Sequence, residues 1–258
     1  MAESLRNYLD FAVNVAHAAG RLTLGYFQND VQVDLKADAS PVTIADYKAE
    51  EFIRTAIEKQ FPDHGIVGEE YGVKESVGRS HRWFVDPIDG TKSFVHGVPV
   101  YAVLIGLEIE GIIEAGCAYF PALDEMLASA SGEGCWWNGR RAHVSNVEKL
   151  ADGMVAFTDV ADFAGYNRAG EWQRIQQAAS RRAGWGDAYG YLLVATGRAE
   201  VMLDPIVEPW DLAPFPVILR EAGGFFGDWQ GNSTIYGREG MATSQRLLPE
   251  VLALLRTP

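Results

Sequence analysis

The chain opens with apolar residues at three- and four-residue intervals: Leu5, Tyr8, Leu9, Ala12, Val15, Ala16, Ala19 and Leu22. That spacing lays them along one stripe of a helix, which should end near Gly25. A second helix is predicted from about Asp46, where Ala49, Phe52, Ile53, Ala56 and Ile57 share a face and Pro62 stops further winding. Between the two, Val31 to Ile44 alternates apolar and polar residues around Asp38-Ala39-Ser40-Pro41, the pattern of a ribbon or mobile loop, and it carries Lys36. Ile66-Val67 and Trp83-Phe84-Val85 are short apolar runs that end directly in acidic segments, as buried strands with chemistry at their tips do. Tyr101 to Ile109, Ile112 to Phe120 and Glu125 to Ser131 then read as successive antiparallel strands, separated by Gly111 and by Pro121-Ala122-Leu123-Asp124.

The second half alternates differently. A strand is predicted at Met154 to Phe157, a helix at Glu171 to Arg182 and an apolar helix at Ala188 to Thr196, closed by Gly197. A strand at Ala199 to Leu203 follows, then a helix after Asp211 containing Val217, Ile218 and Leu219. Gly223-Gly224 stops that helix, and a short strand pair leads to a C-terminal helix at Leu247 to Leu255. Interleaved helices and strands with a meander favour a layered, mixed-sheet α/β (α+β) architecture over a barrel. No tract reads as a linker and no repeat is visible, so the 258 residues are expected to form a single domain. Its N-terminal half would run over about 1–145 and its C-terminal half over about 146–258.

The net charge of −13 disfavours binding to nucleic acid or to an anionic membrane. An anionic substrate would need cations to screen the protein's own field. The first residues, with Glu3, Arg6 and Asp10, lack the basic and apolar runs of a signal peptide, and no segment is long and apolar enough to span a bilayer. A cytoplasmic protein is expected. Cys117 and Cys135 fall in predicted strands and read as isolated structural thiols.

Acidic residues carry the candidate chemistry: Glu69 in Gly68-Glu69-Glu70, Asp86 and Asp89 in Asp86-Pro87-Ile88-Asp89-Gly90-Thr91, and Asp211 in Trp210-Asp211. Brought together, they could not all stay ionised without cations, because like charges raise each other's pKa. Oxygen donors of this kind suit magnesium better than zinc or copper. Singly, each segment also reads as a turn, a solvated loop or a helix cap. Their joint position at the ends of elements points to a site.

In this order the segments Gly68-Glu69-Glu70, Trp83-Phe84-Val85-Asp86-Pro87-Ile88-Asp89-Gly90-Thr91-Lys92-Ser93-Phe94 and Glu208-Pro209-Trp210-Asp211-Leu212-Ala213 resemble the inositol monophosphatase family, within the fructose-1,6-bisphosphatase-like superfamily of phosphomonoesterases. The resemblance spans nearly the whole chain. It implies an αβαβα sugar-phosphatase fold, a homodimer, and two or three Mg²⁺ ions held by Glu69, Asp86, the backbone carbonyl of Ile88, Asp89 and Asp211. Such a reaction needs upwards of roughly 20 kcal/mol of barrier lowering, of which paired metals can supply a large share. The resemblance also implies that the N–H groups of Gly90 and Thr91 hold phosphate oxygens. Thr91 and Asp46 would form a hydrogen-bonded dyad that helps Glu69 activate water, and Lys36 would lie near the third metal position. Asp46 taken alone reads as an acid at a helix N-terminus.

The chain departs from the inositol type at Lys92-Ser93 and at Trp185-Gly186-Asp187-Ala188-Tyr189-Gly190-Tyr191, and in both it looks like the histidinol-phosphatase branch. A carboxylate at Asp187 suits a cationic amine or imidazole N–H better than a neutral polyol, and Asp204 matches a substrate-contacting acid of the family. Asp187 also reads as a helix cap, and Trp185 as either a stacking surface or packing. Arg182, at the end of a predicted helix, would favour its dipole or reach a substrate, including across a dimer interface. The expected activity is therefore hydrolysis of L-histidinol phosphate late in histidine biosynthesis. The alternatives are an inositol-1-phosphate or broad-specificity phosphatase, and a silent metal- or phosphate-binding regulatory module.

Overall fold

The structure, a computed structural model, describes residues 3–36, 41–78 and 80–256. The chain begins with α1 (Leu5–Leu24), a small ribbon of β1 (Val33–Leu35) and β2 (Pro41–Thr43), and α2 (Ile44–Gln60). Then come β3 (Gly65–Gly68), β4 (Gly72–Lys74), β5 (His81–Asp89), α3 (Thr91–Val95), β6 (Ala102–Ile109), β7 (Ile112–Phe120), β8 (Glu125–Ala130), β9 (Gly134–Trp137) and β10 (Arg140–Arg141). The remainder is β11 (Met154–Phe157), α4 (Val160–Gly165), α5 (Ala169–Ala178), β12 (Arg181–Ala183), α6 (Asp187–Ala195), β13 (Val201–Asp204), α7 (Pro209–Leu212), α8 (Phe215–Glu221), β14 (Gly224–Gly227), β15 (Gly240–Ser244) and α9 (Leu248–Arg256).

Two sheets organise these elements. The larger has eight strands in the order β10-β9-β8-β7-β6-β5-β3-β4, antiparallel except for the parallel pair β3 and β5. The smaller has five, in the order β12-β11-β13-β15-β14, with β12, β11 and β13 parallel and β15 antiparallel to its neighbours. The two-residue side-chain period of strands sorts the core into layers. Trp83, Val85, Val103, Ile105, Leu107, Cys117 and Tyr119 face α1 and α2, while Phe84, Leu104, Ala118 and Phe120 face the opposite way, into a core shared with α6 and α8. That shared core also takes Ala156, Met202 and Ala242 from the smaller sheet. Val155, Val201, Leu203 and Met241 point outward against α5 and α9. The result is an αβαβα stack, the expected fold.

Several expectations are corrected in detail. The helix read as Glu171 to Arg182 ends at Ala178, because Arg181–Ala183 pairs with β11 as an edge strand. The helix read after Asp211 is two helices, and Asp211 lies within the first, with Pro214 between them at the entry to α8. β5 runs on through Asp86–Asp89, so the acidic motif is part of the strand itself. The Asp38-Ala39-Ser40 part of the predicted turn lies outside the described residues. Cys117 and Cys135 are free, buried thiols, their pKa values raised by burial.

Candidate metal and phosphate site

In a regular strand, residues three apart point to opposite faces. Asp86 and Asp89 escape that rule because the pairing of β5 with β6 slips between them, and the irregularity re-aims one of the two side chains. Asp211 arrives from the first turn of α7, where its Oδ2 accepts the Glu208 N–H at 2.9 Å in a capping box. The outcome is a trio, Asp86, Asp89 and Asp211, each offering one carboxylate oxygen within 4.8 Å of those of the other two. Asp86 and Asp89 are 2% and 8% exposed.

Burial raises the pKa of each member. For Asp86 the charges of Glu69, Asp89 and Asp211 push further in the same direction, and for Asp89 those of Asp187 and Asp211 do so. Asp211 is held at about 7, by burial first and with Glu69 adding to it, against the relief of the Glu208 hydrogen bond. A set of carboxylates that cannot share its charge with water calls for a cation. The donors are all oxygen, with no sulfur or imidazole in the trio, which fits a hard divalent ion. Glu69 and Ile88 join the trio in lining a cleft of about 190 Å³, together with Gly90, Thr91, Lys92, Thr158 and Asp187.

Around the trio, Ile88 N–H donates to Asp86 Oδ1 at 2.9 Å, and the Thr91 hydroxyl donates to the Ile88 carbonyl at 3.1 Å. Gly90 opens α3 with φ of +80°, a conformation natural to glycine. A Cβ there would also meet Asp187 Oδ2 at 3.1 Å. Lys36 Nζ bridges Glu69 Oε1 and Glu70 Oε1, each at 2.7 Å, and these carboxylates raise its pKa against the opposing effect of burial.

The expected hydrogen bond between Thr91 and Asp46 is not formed. Thr91 spends its one proton on Ile88. Asp46 Oδ2 accepts both the N–H and the hydroxyl of Thr43, as the capping box of α2, while Asp46 Oδ1 is buried with no partner among the described residues. Burial sets the Asp46 pKa at about 6.

The cleft continues into a smaller lobe of about 80 Å³, lined by Asp162, Tyr191, Asp204 and Val207 and sharing Asp89, Thr158, Asp187 and Asp211 with the first. Asp204 Oδ1 accepts the Thr158 hydroxyl at 2.6 Å and Oδ2 accepts the Tyr191 hydroxyl at 3.0 Å. Burial lifts Asp204 to about 8, with Asp187 contributing, and lifts Asp187 to about 6 against the relieving charge of Lys92. The helix-cap reading of Asp187 is corrected: the N-terminal N–H of Ala188 is accepted by Asp89 Oδ2, at 2.7 Å. Arg182 is turned away. Its guanidinium donates to the carbonyls of Gln176, Ala179 and Ser180, satisfying the end of α5, and it lines neither lobe of its own chain's cleft. Trp185 is 52% exposed and lines neither lobe, so it is not buried packing.

Three residues escape a reading of the sequence. Glu50 is fully buried one turn after Asp46, and its carboxylate accepts the N–H groups of Glu70 at 2.7 Å and Tyr71 at 3.1 Å, fixing the turn that carries Glu69. Its spacing from Asp46 and its partner Arg54 were the available signals. Thr158 follows the tip of β11 and Asp162 lies in the short helix α4, and neither stands in a motif.

Buried oxygen donors at strand and helix tips, beside a glycine-opened turn, define a metal-dependent hydrolase acting on phosphate esters. The comparisons agree. Residues 4–257 match the model of the inositol monophosphatase family. The chain is 42% identical to a histidinol-phosphatase of Chlorobaculum parvum, covering 93% of each chain, and 35% identical to an inositol-1-monophosphatase of Mesorhizobium japonicum, covering 95% of this chain and 94% of that one. A crystal structure of the extragenic suppressor protein suhB from Bartonella henselae superposes with a TM-score of 0.90 at 31% identity, covering 97% of this chain and 99% of the other. The chain belongs to the inositol monophosphatase family and is an enzyme of that metal-dependent phosphomonoesterase class.

Proposed function

We propose that the protein hydrolyses L-histidinol phosphate to L-histidinol and phosphate, with Mg²⁺ as its cofactor. The observation that carries this reading is the carboxylate-lined lobe of Asp162, Asp187 and Asp204, which opens directly from the metal cleft. A phosphate ester seated in the cleft would extend its organic part into that lobe, where carboxylates favour an ammonium or imidazolium group over an uncharged ring. The 42% identity to a histidinol-phosphatase supports the same choice.

Asp86, Asp89, Asp211, Glu69 and the Ile88 carbonyl would hold two or three ions. Bound there, Mg²⁺ supplies a Lewis acid for the phosphoryl oxygens and lowers the pKa of water. The residues of the chain supply the rest. The N–H groups of Gly90 and Thr91 hold phosphate oxygens, and Glu69 takes the proton of the attacking water, with Thr91 and Asp46 positioning it. Asp46 Oδ1, buried without a partner among the described residues, would accept the Thr91 hydroxyl once that hydroxyl leaves the Ile88 carbonyl. Lys36, bridging Glu69 and Glu70, tempers the negative field on the ribbon side of the cleft. Asp187 receives the cationic end of the substrate, and Asp204 backs it from within the sheet.

The same proposal has the enzyme act in the cytoplasm, late in histidine biosynthesis, as a homodimer in which residues about 1–145 and 146–258 form one catalytic domain. No helix among the described residues is long and apolar enough to cross a membrane.

Steady-state phosphate release decides the substrate. Histidinol phosphate should be turned over with a higher kcat/KM than inositol 1-phosphate, and only with Mg²⁺ present. Equal or inverted preference would favour the second reading, an inositol-phosphate or broad-specificity phosphatase, which the Mesorhizobium relative supports.

A further inference from the structure

We infer that Thr158 is the positioning residue that sets the carboxylate of Asp187 for substrate selection, an inference that rests on the proposed preference for a cationic ester. Thr158 stands just past the tip of β11, at the shared wall of both lobes of the cleft. Its hydroxyl donates to Asp204 Oδ1 at 2.6 Å and in turn accepts the backbone N–H of Asp187 at 2.8 Å. One hydroxyl therefore ties the strand carrying Asp204 to the first residue of α6. A hydroxyl oriented by one strong acceptor has its lone pairs fixed for a second partner, so the two bonds reinforce each other.

The backbone explains why such a tie is needed. Asp187 has φ of +49°, a left-handed conformation that side-chain-bearing residues adopt only at an energetic cost. The preceding residue, Gly186, packs so tightly on Thr158 that a Cβ would come within 2.2 Å of the threonine Cα. The following N–H, of Ala188, is held by Asp89 Oδ2. Asp187 is thus pinned from both sides, by Thr158 before its side chain branches and by Asp89 immediately after. Its Oδ2 lies against Gly90, at the junction of the two lobes. Without the Thr158 bond, the left-handed residue loses the contact that offsets its conformation and the carboxylate no longer has one fixed direction. Valine has nearly the shape of threonine but neither donates nor accepts. It would leave the Asp187 N–H and Asp204 Oδ1 each short of a partner.

The test compares Thr158→Val, Thr158→Ala and Thr158→Ser with the parent enzyme on histidinol phosphate and on an alkyl phosphate whose organic part carries no charge, with Mg²⁺. The readout is the ratio of the two kcat/KM values. Loss of one positioning hydrogen bond should lower this ratio about tenfold in Thr158→Val and Thr158→Ala, mainly through KM for the cationic ester. Thr158→Ser, which keeps the hydroxyl, should restore it to within about twofold of the parent. An unchanged ratio in Thr158→Val or Thr158→Ala would overturn the inference. So would failure of both variants to show a cooperative melting transition, since the residue would then be structural. A parent enzyme with no preference for the cationic ester would instead overturn the proposed function, and the two failures are read from different proteins.

Discussion

Asp89 and Ala188 are joined by a hydrogen bond of 2.7 Å across 99 positions of sequence, from the end of β5 to the first turn of α6. The same carboxylate belongs to the acidic trio. A charged acceptor at a helix N-terminus is stabilising in its own right, and here it also couples the acidic trio to the helix that carries Asp187. Replacement of Asp89 should therefore disturb selection as well as hydrolysis, whereas replacement of Asp86 should disturb hydrolysis alone.

Asp86→Asn and Asp211→Asn test the ligand assignment. Both keep an oxygen for the local N–H, from Ile88 or Glu208, so the fold should survive. Mg²⁺-dependent phosphate release should fall by roughly a hundredfold or more, since one charged oxygen donor is lost from a small set. Near-normal turnover with an unaltered circular dichroism spectrum would remove these residues from the metal site.

The raised carboxylates make metal-free stability depend on pH. Asp211 titrates at about 7 in the fold against 3.8 for a free aspartate, so the native state binds its proton more tightly than the unfolded chain does. That contribution is fully present below the unfolded pKa and is lost as pH rises through about 7. Asp86 and Asp89 shift in the same direction. The metal-free protein should lose melting temperature from pH 5 to pH 8 relative to the same protein with Mg²⁺. Stabilisation by added Mg²⁺ should grow over that interval, as a ligand that binds only the folded, ionised site requires. Differential scanning fluorimetry with EDTA or Mg²⁺ measures both. A Mg²⁺ effect that is flat in pH would contradict the account.

Asp187→Asn probes preference directly. The variant retains size and polarity but not charge, so kcat/KM for histidinol phosphate should drop about 10- to 100-fold while that for inositol 1-phosphate changes much less. A parallel loss on both substrates would make Asp187 part of the general apparatus and not a selector.

A further expectation concerns a ring cluster of Tyr8, Phe61, His64, His81 and Trp83. His64 stacks on His81 with centroids 4.4 Å apart and its Nδ1 accepts the Trp83 indole N–H at 3.0 Å. Burial first, with the neighbouring His81 acting in the same direction, lowers the His64 pKa to about 4. Because the unfolded histidine takes up its proton near 6.5, this neutral imidazole favours folding above that pH and ceases to do so as pH falls toward 4. His64→Gln keeps an acceptor for the indole and removes the titration. Its melting temperature should fall less than that of the parent between pH 6.5 and pH 4, and identical profiles would refute the assignment.

The strands and long helices were legible because their apolar periods are long and unbroken, as in α1 and β7. The acidic motif was legible because it follows the apolar run Trp83-Phe84-Val85, but its continuation as strand was hidden by Pro87, which cannot donate to a ladder. Arg182 was misplaced because a helix-like sequence continued past Ala178, and pairing with β11 overrode it. Thr158 left no trace in the sequence. A single threonine after a short strand looks like any turn residue, and its importance comes only from Gly186 packing on it across the fold. Asp46 showed the converse problem: its cap role was local and readable, while the partner of its second oxygen depends on surroundings the sequence does not describe.

The trio sits mainly on the larger sheet, whereas Thr158 and Asp204 follow or close strands of the smaller one and Asp187 opens the helix packed on it. Under the proposed function, chemistry and choosiness would therefore reside on different scaffolds that meet along one seam. Divergence in residues 158–206 could redirect the enzyme to another ester while hydrolysis itself stays intact, with Asp89 and Gly90 as the two points where the seam resists such drift.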